Sequence, residues 1–149
     1  MPASFKPSGH QQVIPYLIVS EPDKTISFLK HVFGAAESHV SRDPTGRVMH
    51  ATLKVGDSAI MLGAASEHWP ATPCMVYVYL PDVDAAFQRA LDSGAKPVMP
   101  PADQFYGDRS GGVLDEQGFQ WWMATHVEDV SEEELQRRAQ QAMQARAQA

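Results

Sequence analysis

Short apolar stretches and amphipathic stretches succeed one another along this chain in an order that runs twice. Residues 13–19 (VIPYLIV) are apolar and rich in β-branched side chains between polar flanks, which predicts a buried strand. Pro15 removes a ladder donor, so the strand lies at a sheet edge or starts near Tyr16. In EPDKTISFLKHVFGA, Ile26, Leu29 and Phe33, with Phe28 and Val32 beside them, recur at helical spacing. Gly34 can close that helix because it takes positive φ without steric cost. Three strands are predicted next, over residues 37–42, 47–55 and 58–62. Asp43-Pro44-Thr45-Gly46 and Gly56-Asp57 make the turns between them, and residues 63–73 read as a linker.

The order then restarts. Residues 74–80 (CMVYVYL) predict a strand, and Asp82 can cap a helix carrying Val83, Phe87, Ala90 and Leu91 that stops at Gly94. A strand over residues 96–99 is broken by Pro100-Pro101, another covers 111–114, and the last covers 119–124 (FQWWMA). Ser110-Gly111-Gly112 reads as a flexible bend. Ser131-Glu132-Glu133-Glu134 is a capping box opening a C-terminal helix over about residues 131–146, a surface appendage with few apolar anchors. The helix stop Gly34-Ala35 recurs as Gly94-Ala95, sixty residues on, and the Gly56 turn recurs at Gly118, sixty-two residues on. A near-constant offset over a β-α-β-β-β order predicts an internal duplication. The expected fold class is therefore α+β: two βαβββ modules, about residues 12–64 and 73–126, forming curved mixed sheets around a cavity, plus the C-terminal helix. Residues 1–149 make one such domain.

Charge narrows the partners. The net charge of −6 would repel a phosphate backbone, so nucleic acid is not an expected partner. No apolar run approaches the roughly 18 residues of a membrane helix, and the N-terminal residues lack the apolar centre of a signal peptide. A single cysteine, Cys74, can form neither an internal disulfide nor a cysteine zinc site. A cytoplasmic protein is expected, with no membrane partner.

The sequence resembles the vicinal oxygen chelate superfamily of glyoxalase I, bleomycin-resistance proteins and extradiol dioxygenases, and within it the PhnB-like group. The matching segments are PYLIV, ISFLKHVFGA, RVMHATLKVGDSAIML, VYVYLPDVDAAFQRALDSGA, PADQFYGDR and DEQGFQWWMATHVEDVS, spanning about residues 13–131. One fold hosts many chemistries, so the resemblance constrains fold more than function. It implies four metal ligands in the metal-dependent members. Carried over, these fall near Val13 or Ile14, at or near His50, near Val76 and at Trp122, and only His50 has a metal-binding side chain. Catalytic zinc needs three protein ligands. The expectation is a protein that binds a small molecule in an aromatic-lined pocket with no cofactor. The alternative is a lyase, isomerase or dioxygenase of the glyoxalase type using a divalent metal at His50. The resemblance also implies a homodimer.

Five residues are candidate ligand contacts. His50 sits mid-strand and can turn an imidazole, titrating near neutrality, into the pocket or out to solvent. Trp121 and Trp122 are neighbours on one strand and must point to opposite faces, and the resemblance assigns the pocket to Trp122. Gln104, Phe105 and Tyr106 belong to a polar-aromatic loop, QFYGDR, that could line the pocket mouth. Arg109 in the same loop reads as a structural ion-pair residue, with Asp115 as partner, and His126 as a surface histidine near Glu128 and Asp129. His10, His31, His39 and His68 are scattered without metal-ligand spacing. No catalytic nucleophile or phosphate-binding motif appears.

Overall fold

A computed structural model describes residues 2–149. The element order is β1 (Tyr16–Val19), α1 (Pro22–Phe33), β2 (Ala36–Arg42), β3 (Val48–Val55), β4 (Ser58–Ala64), β5 (Met75–Tyr79), α2 (Val83–Asp92), β6 (Lys96–Asp103), β7 (Asp108–Leu114), β8 (Gln120–His126) and α3 (Glu132–Ala147). The chain divides into two compact units. The first runs to Cys74 and takes in Glu116–Phe119; the second holds Met75–Asp115 and Gln120–Ala149. Each contains one four-stranded mixed sheet, ordered β1-β4-β3-β2 in the first and β5-β8-β7-β6 in the second. The parallel pairs are β1 with β4 and β5 with β8, and the other pairings are antiparallel. The duplication is visible in the register. Tyr16 pairs with Met61 and Tyr77 with Trp122, both members of the pair shifted by sixty-one residues.

In the first unit α1 covers one face of the sheet. Ile26, Leu29, Val32 and Phe33 on the helix are buried with Leu17, Val19, Ala51, Leu53, Ile60 and Leu62. Removing each large side chain from water stabilises the fold by about 1.5–3 kcal/mol. Gly34 ends the helix at φ 67°, and its own N–H reaches back to the Lys30 carbonyl at 3.1 Å, the closure of an αL cap. The start of α1 has no local side-chain cap. Gln117 supplies the contacts instead: its Oε1 accepts the Glu21 N–H at 2.8 Å, and its Nε2 donates to Thr25 Oγ1 at 2.9 Å.

In the second unit Asp82 accepts from the Ala85 N–H at 3.1 Å and caps α2, whose Val83, Ala86, Phe87 and Ala90 are buried. Trp121, Met123 and Val113 fill the core on the helix side, each 0% exposed. The Trp121 indole N–H donates to Asp115 Oδ2 at 2.9 Å, so its one polar atom is satisfied inside. The Ser131 side chain accepts from the Glu134 N–H, as the capping box requires, and no residue of α3 is buried.

Several sequence expectations change. The first strand begins at Tyr16 on a sheet edge, as Pro15 implied, but residues 13–15 fall outside it and Val13 stays 84% exposed. Strand β4 continues through Gly63 and Ala64 into the expected linker. Strand β6 runs on through Pro100-Pro101 to Asp103, because an edge strand pairs on one side only and a register shift between Met99 and Ala102 absorbs the missing donors. Ser110-Gly111-Gly112 is no bend but part of central strand β7, where the two glycines admit close neighbours. Arg109 pairs with Asp84 (2.8 and 2.9 Å) and Asp103 (3.3 Å) rather than Asp115, whose carboxylate faces Trp121.

Candidate functional site

Each helix covers one face of its sheet, so the side chains with chemistry to offer are those on the opposite, open face. In the first unit the register puts Tyr16, Ser41, His50, Thr52, Met61 and Gly63 on that face, away from Ala51, Leu53 and Leu62. His50 is half-buried there. Its Nδ1 lies 3.1 Å from the Tyr16 hydroxyl and its Nε2 3.3 Å from Thr52 Oγ1. Burial, and then the like charge of His39, hold its pKa below the ordinary 6.5, so the ring is neutral at pH 7. A neutral imidazole offers one donor and one acceptor. The Tyr16 hydroxyl can stand over β4 because residue 63 is glycine: a Cβ there would meet it at 2.7 Å.

In the second unit the open face carries Tyr77, Tyr79, Asp108, Ser110, Gly112, Trp122 and His126. Asp108 is its centre and is only 3% exposed. Its Oδ2 accepts from the hydroxyls of Tyr77 (2.9 Å) and Tyr79 (2.8 Å), and its Oδ1 lies 2.9 Å from His126 Nδ1. The other ring nitrogen of His126 meets Asp129 Oδ1 at 2.7 Å. Burial alone would raise the Asp108 pKa, but the bonds from His126, Tyr79 and Tyr77 outweigh it and the net shift is downward. The same contacts hold His126 above 6.5, with Asp108 the larger cause and Asp129 next. Burial, then bonds to Asp108 and Tyr106, push the Tyr77 phenol far above its usual range, so it stays protonated. Trp122 lies over Gly112, where a Cβ would come within 2.7 Å of the indole, and its N–H donates to Gln120 Oε1 at 3.0 Å.

Of the residues singled out from sequence, Trp122 sits on the open face of the second sheet and Trp121 on the covered one. His50 occupies the open face of the first sheet. Gln104, Phe105, Tyr106 and Gly107 form the hairpin turn between β6 and β7. Within it Tyr106 reaches Ser110 Oγ at 3.4 Å and stacks edge-on against Phe105, with centroids 5.2 Å apart. The Gln104 side chain turns back to the Ala102 carbonyl at 3.3 Å. In the duplication β3 corresponds to β7 and β4 to β8, so the counterpart of Trp122 is Met61 rather than His50. His126 is a surface histidine beside Asp129, as its place in the sequence implied, and its other nitrogen also meets the buried Asp108. Tyr77, Tyr79 and Asp108 were not foreseen as site residues. The alternation of CMVYVYL carried the signal for two of them, because tyrosines two apart on a strand share a face.

The sequence profile of the Glyoxalase/Bleomycin resistance protein/Dioxygenase superfamily matches residues 10–123. The chain belongs to that superfamily. Uncharacterized proteins of Mycobacterium bovis and Mycobacterium tuberculosis are each 33% identical to it over 133 residues, 82% of this chain, covering 88% and 78% of those relatives. Among solved structures, TioX from Micromonospora sp. ML1 superposes with a TM-score of 0.67 at 28% identity, covering 78% of this chain and 99% of that one. The PhnB protein of Bacillus cereus shares the fold, with a TM-score of 0.62 at 19% identity over 77% of this chain and 99% of that one.

The metal of this superfamily's glyoxalase-like members does not fit the residues present. Of the positions carried over for its ligands, Val13, Ile14, Val76 and Trp122 have no donor suited to a divalent ion. Val76 also pairs with Trp121 and therefore faces away from Trp122. Among the described residues, no group of three or more His, Cys, Asp or Glu side chains is arranged to hold a metal ion. Among the same residues, no helix is long and apolar enough to cross a membrane.

Proposed function

We propose that this superfamily member binds a small, flat organic molecule on the aromatic open face of its second sheet, without a metal. The observation that carries the reading is the row of Tyr77, Tyr79 and Trp122 on one sheet face, with rings left partly open and polar atoms anchored by neighbours. Anchored rings lose little further freedom when a ligand stacks on them, so contact area is converted into affinity at small entropic cost. Phe105, Tyr106 and Gln104 form the turn beside Ser110 and Asp108 and act as the rim of that face. His50 carries a polar site of its own on the first sheet, where a neutral imidazole can exchange one hydrogen bond with a ligand.

Titration of planar heteroaromatic compounds against intrinsic tryptophan fluorescence tests the reading, with Trp122→Phe as the control. Saturable quenching that weakens in the variant supports it, and no saturable response across the panel overturns it. Stoichiometric metal in protein purified without chelator would overturn the metal-free part and restore the lyase, isomerase or dioxygenase alternative. A homodimer is part of the same proposal: each sheet taken by itself ends in edge strands with unpaired backbone groups, β1 and β2 or β5 and β6. Light scattering at micromolar concentration checks it, and a monomer refutes it.

A further inference from the structure

The hydrogen-bond donors of the aromatic residues on the open face of the second sheet are spent on protein acceptors. Tyr77 and Tyr79 give their hydroxyl protons to Asp108, Trp122 gives its N–H to Gln120, and both nitrogens of His126 are taken by Asp108 and Asp129. What the aromatic residues present is π-density and phenol lone pairs, with the buried Asp108 carboxylate at the phenol oxygens. Phenols that donate to a carboxylate become better acceptors, because each bond in such a chain polarises the next.

The formal charge of the group has the same sign. Two carboxylates, Asp108 and Asp129, surround one imidazole, which leaves a net negative charge even with His126 protonated. The neighbouring cations are already engaged. Arg109 points to the helix side with Asp84 and Asp103, and Arg138 is held between Glu128 and Glu134. Lys96 shares the open face by register, but it pairs with Leu114, six residues along β7 from Asp108 and so roughly 20 Å away.

We infer that the ligand of this face is an organic cation: a flat N-alkylated heteroaromatic lying over Tyr77, Tyr79 and Trp122 with Asp108 at the phenol oxygens. The inference rests on the small-molecule reading above and names the charge class that reading leaves open. A cation gains from the ring quadrupoles and from the carboxylate at once. A neutral molecule of the same shape gains only contact area, and an anion meets the repulsion of the two carboxylates.

Three probes of matched shape separate the possibilities: N-methylquinolinium, methylnaphthalene and naphthoate, each titrated into the full chain by calorimetry. The expected order is quinolinium about tenfold tighter than methylnaphthalene, with naphthoate weakest. Asp108→Asn and Tyr77→Leu should each bring the cation-to-neutral ratio close to one. If Asp108→Asn fails to fold, Asp129→Asn removes an exposed charge from the same group and should still lower the ratio. Methylnaphthalene or naphthoate binding as tightly as quinolinium overturns the inference and leaves the binding reading standing. No binding by any of the three overturns both.

Discussion

Gly111 and Gly112 are adjacent on one strand, and adding a methyl group to each should have very different consequences. At Gly112 a Cβ would lie 2.7 Å from Cδ2 and Cε2 of Trp122 and 3.0 Å from Cε3. The obstacle is a half-exposed side chain, which can tilt. Leaving its rotamer costs about 0.5–1.5 kcal/mol. Loss of the 3.0 Å bond to Gln120 adds about 0.5–1.5 kcal/mol. Alanine recovers about 0.5–1 kcal/mol of the entropic cost of glycine in a strand. Gly112→Ala should therefore destabilise by about 0–2.5 kcal/mol. At Gly111 the Cβ would meet the Met99 carbonyl oxygen and the Pro101 nitrogen, both at 2.9 Å. Those atoms are backbone and cannot rotate away. Strand β6 must be pushed off, so overpacking of about 1–3 kcal/mol is compounded by lost ladder bonds. Urea unfolding by circular dichroism compares the two, and the indole N–H resonances report where the ring has gone. In Gly112→Ala the Trp122 resonance should move and ligand binding should fall, with the fold retained. Equal destabilisation by the two variants, or an unmoved Trp122 resonance in Gly112→Ala, would refute the reasoning.

Trp121→Ala should destabilise the second unit by about 3–5 kcal/mol, because the side chain is 0% exposed and Asp115 loses its indole donor; a loss under about 1 kcal/mol by denaturant titration would contradict its place in the core. His50→Ala should leave the fold intact and weaken a molecule held at its own site on the open face of the first sheet by about 0.5–1.5 kcal/mol, the value of one hydrogen bond, and outright unfolding would make the imidazole a structural group. His126 should make stability depend on pH. Its folded pKa is raised by Asp108 first and Asp129 second, so its contribution is complete below 6.5 and fades as pH climbs through the folded value. Asp108 is shifted down, so its contribution is complete above 3.8 and is lost as pH falls through the folded value. The urea midpoint of the wild type relative to His126→Gln should thus shrink as pH rises above 6.5, and a constant difference would count against the contact.

Much of this fold is written in local pattern. Alternation and helical spacing name the elements because burial of one face demands a period, and the sixty-residue offset exposes the duplication without any contact being known. Gly34 and Asp82 mark helix ends because their conformational and hydrogen-bonding preferences act within a few residues. The opposite facing of Trp121 and Trp122 follows from adjacency alone. What local pattern cannot carry is partnership across the chain. Gln117 caps a helix ninety-six residues away from it, Arg109 chooses Asp84 over Asp115, and two prolines survive in β6 only because that strand ends its sheet. The Asp108 group joins residues from β5, β7, β8 and the segment after β8; Tyr77 and Tyr79 are close in sequence, as are His126 and Asp129, but the two pairs and Asp108 are far from one another along the chain. A buried carboxylate selects its partners by distance and by the need to have every lone pair met. Both are settled only when the strands have taken their register.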